Sequence, residues 1–121
     1  MSELYIGTDI VDVERIKASI DNYSAKFKNK VFSPEEQEYC NSKSNPEIHY
    51  SGRFAAKEAV IKAIKSSGFD QAFSLKDIKI INQWNGSPYV ELDFDCKGEI
   101  KVSISHIHTH AVAFAILKIN P

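Results

Sequence analysis

Cysteine is scarce in this chain, and so are the other features that mark special classes of small protein. Cys40 and Cys96 are the two cysteines, too few and too scattered for a disulfide framework or a zinc knuckle. The formal net charge of −1 gives no general attraction to nucleic acid or to a membrane surface. The apolar runs are far shorter than a bilayer span requires, and the first residues lack the basic and apolar regions of a signal peptide. We therefore expect a cytoplasmic protein that binds neither nucleic acid nor membrane.

What is present is the composition of an ordinary globular protein. Hydrophobic residues make up 43% of the 121 residues and charged residues make up 26%, which are typical values for a folded domain. This length predicts a single domain over residues 1–121. The core of such a domain is modest in size, so association into an oligomer would add buried surface.

The pattern of apolar residues and caps predicts an α+β fold. Capped or amphipathic segments predict helices at Val13–Tyr23, Pro34–Ser42 and Pro46–Lys65. Period-two patterns predict strands at Leu4–Val11, Asp77–Asn82, Tyr89–Phe94, Ile100–Ser105 and Ala111–Ile119. We expect a mainly antiparallel sheet packed around the long central helix. The last strand is apolar on both faces, which favours a central place in the sheet.

Charged residues interrupt the apolar surface of the central helix. A stripe of small residues that includes Gly52 lies on one side and a bulky apolar stripe lies on another, so the helix should be covered on most sides. Glu58 and Lys62 fall in the gap between the two stripes. Arg53 and Lys57 lie within or beside the bulky stripe. A solvated i,i+4 pair would explain Glu58 and Lys62, but so would a strip of the helix that faces a phosphate or a metal.

Asp9 is an anomaly in the first predicted strand, because aspartate is disfavoured in strands and costly to bury alone. One interpretation is a turn aspartate that caps the next helix, a role for which Asp12 is an equal candidate. The other is a ligand for a hard metal ion such as Mg²⁺. Gly7 nearby would leave room for a ligand to approach closely.

Two further clusters leave their alternatives open. Between Arg15 and Lys30 the chain carries five basic residues and one acid, which is typical either of a solvated face or of a docking site for an acidic partner. His106, His108 and His110 recur at period two, so an extended segment would present all three to a zinc ion. A turn at this point would break that period and leave a single phosphate-contacting histidine at the end of a strand.

Three separated stretches of the chain fall into one known pattern. They are Ile6–Ile16 (Ile-Gly-Thr-Asp-Ile-Val-Asp-Val-Glu-Arg-Ile), Gly52–Ala59 (Gly-Arg-Phe-Ala-Ala-Lys-Glu-Ala) continued by Lys62-Ala63, and Ser103–His106 (Ser-Ile-Ser-His). Phe32–Glu36 and Asn85–Pro88 match more weakly and in the same order. Together these stretches resemble the motifs of the holo-acyl-carrier-protein synthases, which are compact 4'-phosphopantetheinyl transferases.

The resemblance implies an activity and its machinery. That family transfers the 4'-phosphopantetheine arm of coenzyme A to a serine of an acyl carrier protein, in fatty acid biosynthesis, and releases adenosine 3',5'-bisphosphate. It uses Mg²⁺, and the resemblance assigns Asp9 and Glu58 as the carboxylate ligands. Two carboxylates suit an ion that keeps much of its water shell. Compact members are homotrimers with active sites between neighbouring subunits.

The resemblance also implies the substrate contacts. Lys62 is expected to meet the pyrophosphate and to be catalytic together with Glu58. Glu58 is the candidate base, either directly or through a water on the metal. The other expected contacts are with coenzyme A, at Arg53, Lys57 and His106, and with the acyl carrier protein, at Arg15.

The chain departs from the family pattern in three places. The family usually follows Lys-Ala with a small apolar residue and a glycine-rich turn, whereas this chain has Lys65-Ser66-Ser67-Gly68 after Ile64. Ser87 stands where a lysine is usual, and His108 and His110 are not required by the resemblance. A second function is therefore a non-catalytic module of the same fold that binds coenzyme A or a nucleotide. The transferase is favoured because both expected metal ligands and the expected catalytic lysine are present.

Overall fold

The computed structural model describes residues 2–120; residues 1 and 121 of the predicted domain lie outside the described part. Its elements in chain order are β1 (Glu3–Asp12), α1 (Val13–Val31), α2 (Pro34–Asn41), α3 (Pro46–Ser66), a short 3₁₀ turn (Leu75–Asp77), β2 (Ile78–Asn82), β3 (Pro88–Leu92), β4 (Glu99–His106) and β5 (His110–Ile119). The α+β class predicted from the sequence is confirmed, and each predicted helix and strand is found, with ends within a few residues of those expected except at the end of α1.

The strands of the described residues form two antiparallel sheets. A three-stranded sheet has the order β1-β5-β4, with Gly7 opposite Ala115 and Ser103 opposite Phe114. The central place predicted for the last strand is therefore confirmed. Among the described residues, β2 and β3 pair only with each other and form a separate hairpin. The expectation of one main sheet thus holds for three of the strands.

Helix α1 runs further than the sequence predicts. The predicted end at Tyr23 is wrong, because the helix continues to Val31 across a kink at Ser24, where φ is 47° and ψ is −127°. The segment after the kink is amphipathic enough to resume a helix, and it buries Val31 in the core with Phe27 packed beside it. Among residues 2–120, no helix combines the length and the apolar character that crossing a membrane requires.

The small stripe of α3 lies directly on the three-stranded sheet. Ala56, Ala59 and Ala63 are fully buried there. A Cβ on Gly7 would lie only 1.8 Å from the backbone oxygen of Ala59, so the backbone of the helix occupies the space that a side chain at position 7 would need. The expected role of Gly7, to admit a ligand, is therefore replaced by close packing of α3 on β1.

A buried ion pair joins α3 to the other helices. Lys57 Nζ lies 2.7 Å from Glu36 Oε1, and neither side chain has any exposed surface. The same ammonium donates to the backbone oxygens of Val31 at 2.6 Å and Leu75 at 3.2 Å. Glu36 also accepts from Ile80 N at 2.9 Å, so one pair of side chains links the end of α1, the start of α2, the middle of α3 and β2.

The opposite face of the three-stranded sheet is apolar and exposed. Ile6 lies opposite Ile116 in the register, and the next pair on that face is Thr8 opposite Phe114. The large apolar side chains of this outer face are 43–66% exposed; they are Leu4, Ile6, Ile10, Phe114 and Ile116. A contiguous patch of this kind is typical of a surface that binds another protein.

Candidate active site

Asp9 lies on the β1 face that carries α3, and it meets Lys62 there. Lys62 Nζ lies 3.3 Å from Asp9 Oδ1 and donates to the backbone oxygen of Thr8 at 2.9 Å. The Asp9 side chain is 18% exposed and that of Lys62 is 53% exposed, so the pair stands at the edge of the packed core and stays open to solvent. The capping role considered for Asp9 belongs to Asp12, whose carboxylate accepts from Glu14 N at 2.9 Å.

Glu58 lies one helical turn before Lys62 and is half-buried. Burial raises its pKa above the ordinary value, and the negative charge of Asp9 raises it further, while Lys62 and Lys65 lower it. Within residues 2–120 we find no hydrogen bond to this carboxylate. The charge of Glu58 is thus disfavoured by burial and by the neighbouring Asp9, and a cation bound at this solvent-facing place would stabilise it.

The donor set at this place fits a magnesium ion. Asp9 and Glu58 offer hard carboxylate oxygens, which Mg²⁺ prefers, and two protein ligands suffice for an ion that keeps several waters. In the described part of the chain, no group of three or more His, Cys, Asp or Glu side chains is placed to hold a metal. The arrangement therefore does not resemble a closed structural metal site.

Arg53 is a buried cation without an acidic partner among the described residues. It is only 5% exposed, its guanidinium lies 3.9 Å from the centre of the Tyr39 ring, and it donates to Asn82 Oδ1. Within residues 2–120 its Nε has no hydrogen-bond partner. Arg53, Tyr39 and Asn82 line a cavity of about 190 Å³ together with Glu35 and Glu36. A buried cation in this state is stabilised by any anion that reaches it, so the expected contact of Arg53 with a phosphate stays a prediction that the geometry favours.

The structure contradicts the expectation that Lys57 contacts coenzyme A. The three donors of its ammonium are used by Glu36 and by two backbone oxygens, and its side chain is fully buried. Burial lowers its pKa and the Glu36 carboxylate opposes that change. Lys57 is therefore a structural residue. Because it precedes Glu58 directly on α3, its bonds help to fix the part of the helix that carries the candidate site.

The three histidines at the end of β4 do not form one cluster. His106 ends β4 and His110 begins β5, and the turn between them is closed by a bond from Ile107 N to the backbone oxygen of His110 at 2.9 Å. The turn breaks the period-two pattern, so the geometry does not support the zinc hypothesis. His106 instead packs edge-to-face on His49, with ring centres 5.7 Å apart.

Sequence reasoning missed the partners of the predicted site residues. His49 packs on both Tyr39 and His106, and its pKa is lowered by burial and then by His106. His49 and His106 border a cavity of about 410 Å³ that Asn45 and His108 also line. No local pattern marks these residues, because their proximity depends on how α2, α3 and β4 pack.

Arg15 lies on the exposed side of α1, beside an apolar groove. No carboxylate of residues 2–120 lies within 4 Å of its guanidinium. The groove has a volume of about 250 Å³, and its apolar lining is Ile10, Val11, Ile16, Phe27 and Phe54. Arg15 therefore has no ion pair within the described residues, and its expected docking role stays a prediction.

Comparison with known proteins identifies the family. The sequence model of the 4'-phosphopantetheinyl transferase superfamily matches residues 5–116. A holo-acyl-carrier-protein synthase of Protochlamydia amoebophila is 45% identical over 118 residues, covering 93% of this chain and 96% of that protein. A Bacillus anthracis synthase solved with coenzyme A (3',5'-ADP) matches with a TM-score of 0.82 at 30% identity, covering 96% of each chain. A Helicobacter pylori synthase solved with coenzyme A matches with a TM-score of 0.80 at 32% identity, covering 93% of this chain and 98% of that one. Since the match extends over nearly the whole chain and includes the strand and helix that carry Asp9, Glu58 and Lys62, this protein belongs to the 4'-phosphopantetheinyl transferase superfamily.

Proposed function

We propose that this protein transfers the 4'-phosphopantetheine group of coenzyme A to a serine of an acyl carrier protein. The observation that carries the proposal is the meeting of Asp9 on β1 with Glu58 and Lys62 on α3, at a solvent-facing edge of the core. The synthases that this chain resembles include two that were solved with coenzyme A.

The reaction moves one phosphoryl centre between two oxygens. The serine oxygen forms a bond to the β-phosphorus of coenzyme A, and the bond from that phosphorus to the bridging oxygen breaks. Adenosine 3',5'-bisphosphate leaves with the electron pair of that bond. The serine proton passes to a base, and Glu58 is the candidate, either directly or through a water. Lys62, half-exposed beside Asp9, neutralises charge on the phosphates.

We also propose that the activity depends on Mg²⁺ held by Asp9 and Glu58. When bound, the ion would neutralise the charge of the pyrophosphate and help to orient it. Two observations support this proposal. The negative charge of Asp9 raises the pKa of Glu58, and the Lys62 side chain beside Asp9 is still exposed to solvent.

The nucleotide end of coenzyme A is assigned to the other end of α3. Arg53 offers a buried guanidinium with a free Nε, and His106 lies exposed at the end of β4, next to the cavity it shares with His49. Both suit phosphate oxygens, and Lys57 is removed from this set because its donors are already used.

The decisive experiment is incubation with apo carrier protein, coenzyme A and Mg²⁺, followed by intact-protein mass measurement. Addition of one phosphopantetheine to the carrier, lost when the carrier serine is replaced by alanine, is the expected result. Binding of coenzyme A without modification of any carrier tested would instead identify a non-catalytic binding module.

Docking of the acyl carrier protein is proposed to involve Arg15 at the groove on α1. Because exposed complementary charges act mainly on encounter and are screened by salt, Arg15→Glu should raise KM for the carrier, and the wild-type KM should rise with ionic strength. Steady-state kinetics with each substrate varied in turn checks this. Lys97→Glu is the matched charge reversal outside α1 and should leave KM for the carrier unchanged. An unchanged carrier KM in the Arg15 variant would exclude the docking role.

A homotrimer with active sites between neighbouring subunits is proposed for the assembly. The exposed apolar outer face of the three-stranded sheet supports this proposal, since it is continuous across β1 and β5. Burying such a face would stabilise a domain whose own core is small.

A further inference from the structure

Trp84 is the single tryptophan of the chain and, among residues 2–120, the most exposed large apolar side chain, at 97% exposure. It lies in the turn of the β2–β3 hairpin. That turn is closed by bonds from Gly86 N to the backbone oxygen of Gln83 and from Gln83 N to that of Ser87, both 2.8 Å long. Gly86 has a φ of 87°, which a glycine adopts without strain. A rigid turn thus holds a flat indole ring in the solvent.

A single exposed aromatic residue is common and carries no inference alone. The second observation is that the same turn is bonded to the guanidinium of Arg53, whose Nε has no hydrogen-bond partner among the described residues. Arg53 donates to Asn82 Oδ1, and Asn82 Nδ2 donates to the backbone oxygen of Gly86 at 2.9 Å. Trp84 follows Asn82 by two residues, at most about 7 Å of backbone. The same hydrogen-bonded turn therefore carries the Trp84 indole and binds the Arg53 guanidinium.

We propose that Trp84 stacks on the adenine ring of coenzyme A while Arg53 binds a phosphate of the same nucleotide. This assignment rests on the proposed function for the identity of the ligand. It makes Trp84 a determinant of affinity for the nucleotide half of the substrate, which does not react.

The chemistry of this corner fits a nucleotide better than it fits a protein partner. A flat aromatic surface recognises a base through its π-face, and a guanidinium with a free donor recognises a phosphate. A nucleotide carries both groups within a few bonds of each other. The exposed outer sheet face of a second copy offers no equivalent, because its large apolar side chains are aliphatic or phenylalanine side chains.

The tryptophan is its own probe, because no other indole contributes to the emission. Titration with coenzyme A is expected to quench the fluorescence of the assembled wild-type protein. Adenosine 3',5'-bisphosphate should quench it to the same extent, whereas 4'-phosphopantetheine, which lacks the base, should not. In the free protein the emission should be that of a water-exposed indole. A blue-shifted emission before any ligand is added would show that another subunit covers Trp84 and would overturn the proposal.

Variants separate stacking from general effects. Trp84→Ala should weaken the Kd of coenzyme A by about tenfold, the size expected for one base on one aromatic ring, and Trp84→Phe should recover most of the loss. The KM of coenzyme A should follow the Kd, with a much smaller change in kcat, because the contact is made equally in ground and transition states. Calorimetric titration measures the variants, which lack the fluorophore. Tyr23→Ala, which removes another exposed aromatic residue, on α1 and 63% exposed, should leave the Kd unchanged.

The outcomes distinguish this proposal from the proposed function. Transfer to the carrier without quenching by coenzyme A, or with an unaltered Kd in Trp84→Ala, would overturn the stacking assignment and leave the transferase intact. Quenching and tight binding without transfer would support the stacking assignment and contradict the transferase.

Discussion

When no cation is bound, the negative charge of Glu58 is destabilised, because burial and Asp9 both raise the pKa of its carboxyl group. Glu58→Gln removes that charge and keeps the shape. We expect turnover to fall by about 100-fold or more, because even the outer partners of a metal site are worth 10–100-fold. The melting temperature without divalent cations should rise, since the unfavourable charge is gone.

The cation itself supplies the second measurement of this prediction. Mg²⁺ should raise the melting temperature of the wild type and should have little effect on that of Glu58→Gln. Asp9→Asn serves as the companion variant and should lose the same response. Near-normal turnover in both variants, or an equal response to Mg²⁺ in variant and wild type, would contradict the assignment of the metal ligands.

His49 makes the stability depend on pH. Its pKa is lowered from 6.5 by burial first and then by the charges around it; those that lower it are His106, Lys43 and Arg53, and the one that raises it is Glu47. As pH falls through about 6.5, the unfolded chain takes up a proton that the folded chain resists. Stability present above that pH is therefore lost as the pH falls below it.

A pair of melting curves checks this direction. The wild type should lose melting temperature between about pH 8 and about pH 5, and His49→Gln should lose less over the same interval. Other titrating groups are common to both proteins, so the difference between the two pH profiles isolates His49. An identical profile in the variant would mean that the histidine titrates alike in the folded and unfolded states.

At the residue scale, the sequence shows which residues are unusual for their position better than it shows which residues surround them in the fold. The positions of Asp9 and Glu58 were anomalies for a strand and for a covered helix, and anomalies of this kind are visible without a structure. The lysine at position 57 is equally anomalous, yet its explanation is a buried partner 21 residues earlier in the chain. No local pattern separates a cation that binds substrate from one that binds its own protein, so this residue was assigned wrongly.

At the scale of elements, the Glu36–Lys57 pair determines how three helices are held together. Lys57→Met should lower the free energy of unfolding by about 3–5 kcal/mol, because it leaves the Glu36 carboxylate buried without its cation. The double variant Lys57→Met/Glu36→Gln should lose less than the sum of the two single losses. Denaturant unfolding of all four proteins measures this coupling. Additive losses would show that the two side chains do not act as a pair.

The ends of the elements could be predicted where a cap marks them. Ser33 and Glu36 form a capping box at the start of α2, which begins at Pro34 as predicted, and Pro46 begins α3 as expected. The end of α1 carries no such mark, because the chain passes through a non-helical residue at Ser24 and then resumes the helix. That continuation is stabilised by packing of Val31 and Phe27 on the rest of the protein, which a sequence pattern does not contain.

At the scale of the whole molecule, the exposed apolar outer face of the three-stranded sheet leads us to expect that the subunits of the proposed trimer associate through it. Ile6→Asp places a charge in the middle of that face and should shift a wild-type trimer to monomer, with loss of activity if the sites lie between subunits. Sedimentation at several concentrations measures the shift. Ile107→Asp, an equally exposed apolar residue in the β4–β5 turn, should leave the oligomeric state unchanged. A wild-type monomer with full activity would contradict the assembly.

Gly7 limits how this protein can vary. With the backbone of α3 where a Cβ would lie, every other amino acid at this position would push the helix off the sheet, and Glu58 and Lys62 would move with it. Gly52 is also packed closely, but there a Cβ would meet only the Ile104 side chain, at 3.1 Å, which can give way by a few tenths of an ångström. In evolutionary terms, we expect position 52 to accept a small side chain. We expect position 7 to remain glycine, because a substitution there would separate Asp9 on β1 from Glu58 and Lys62 on α3.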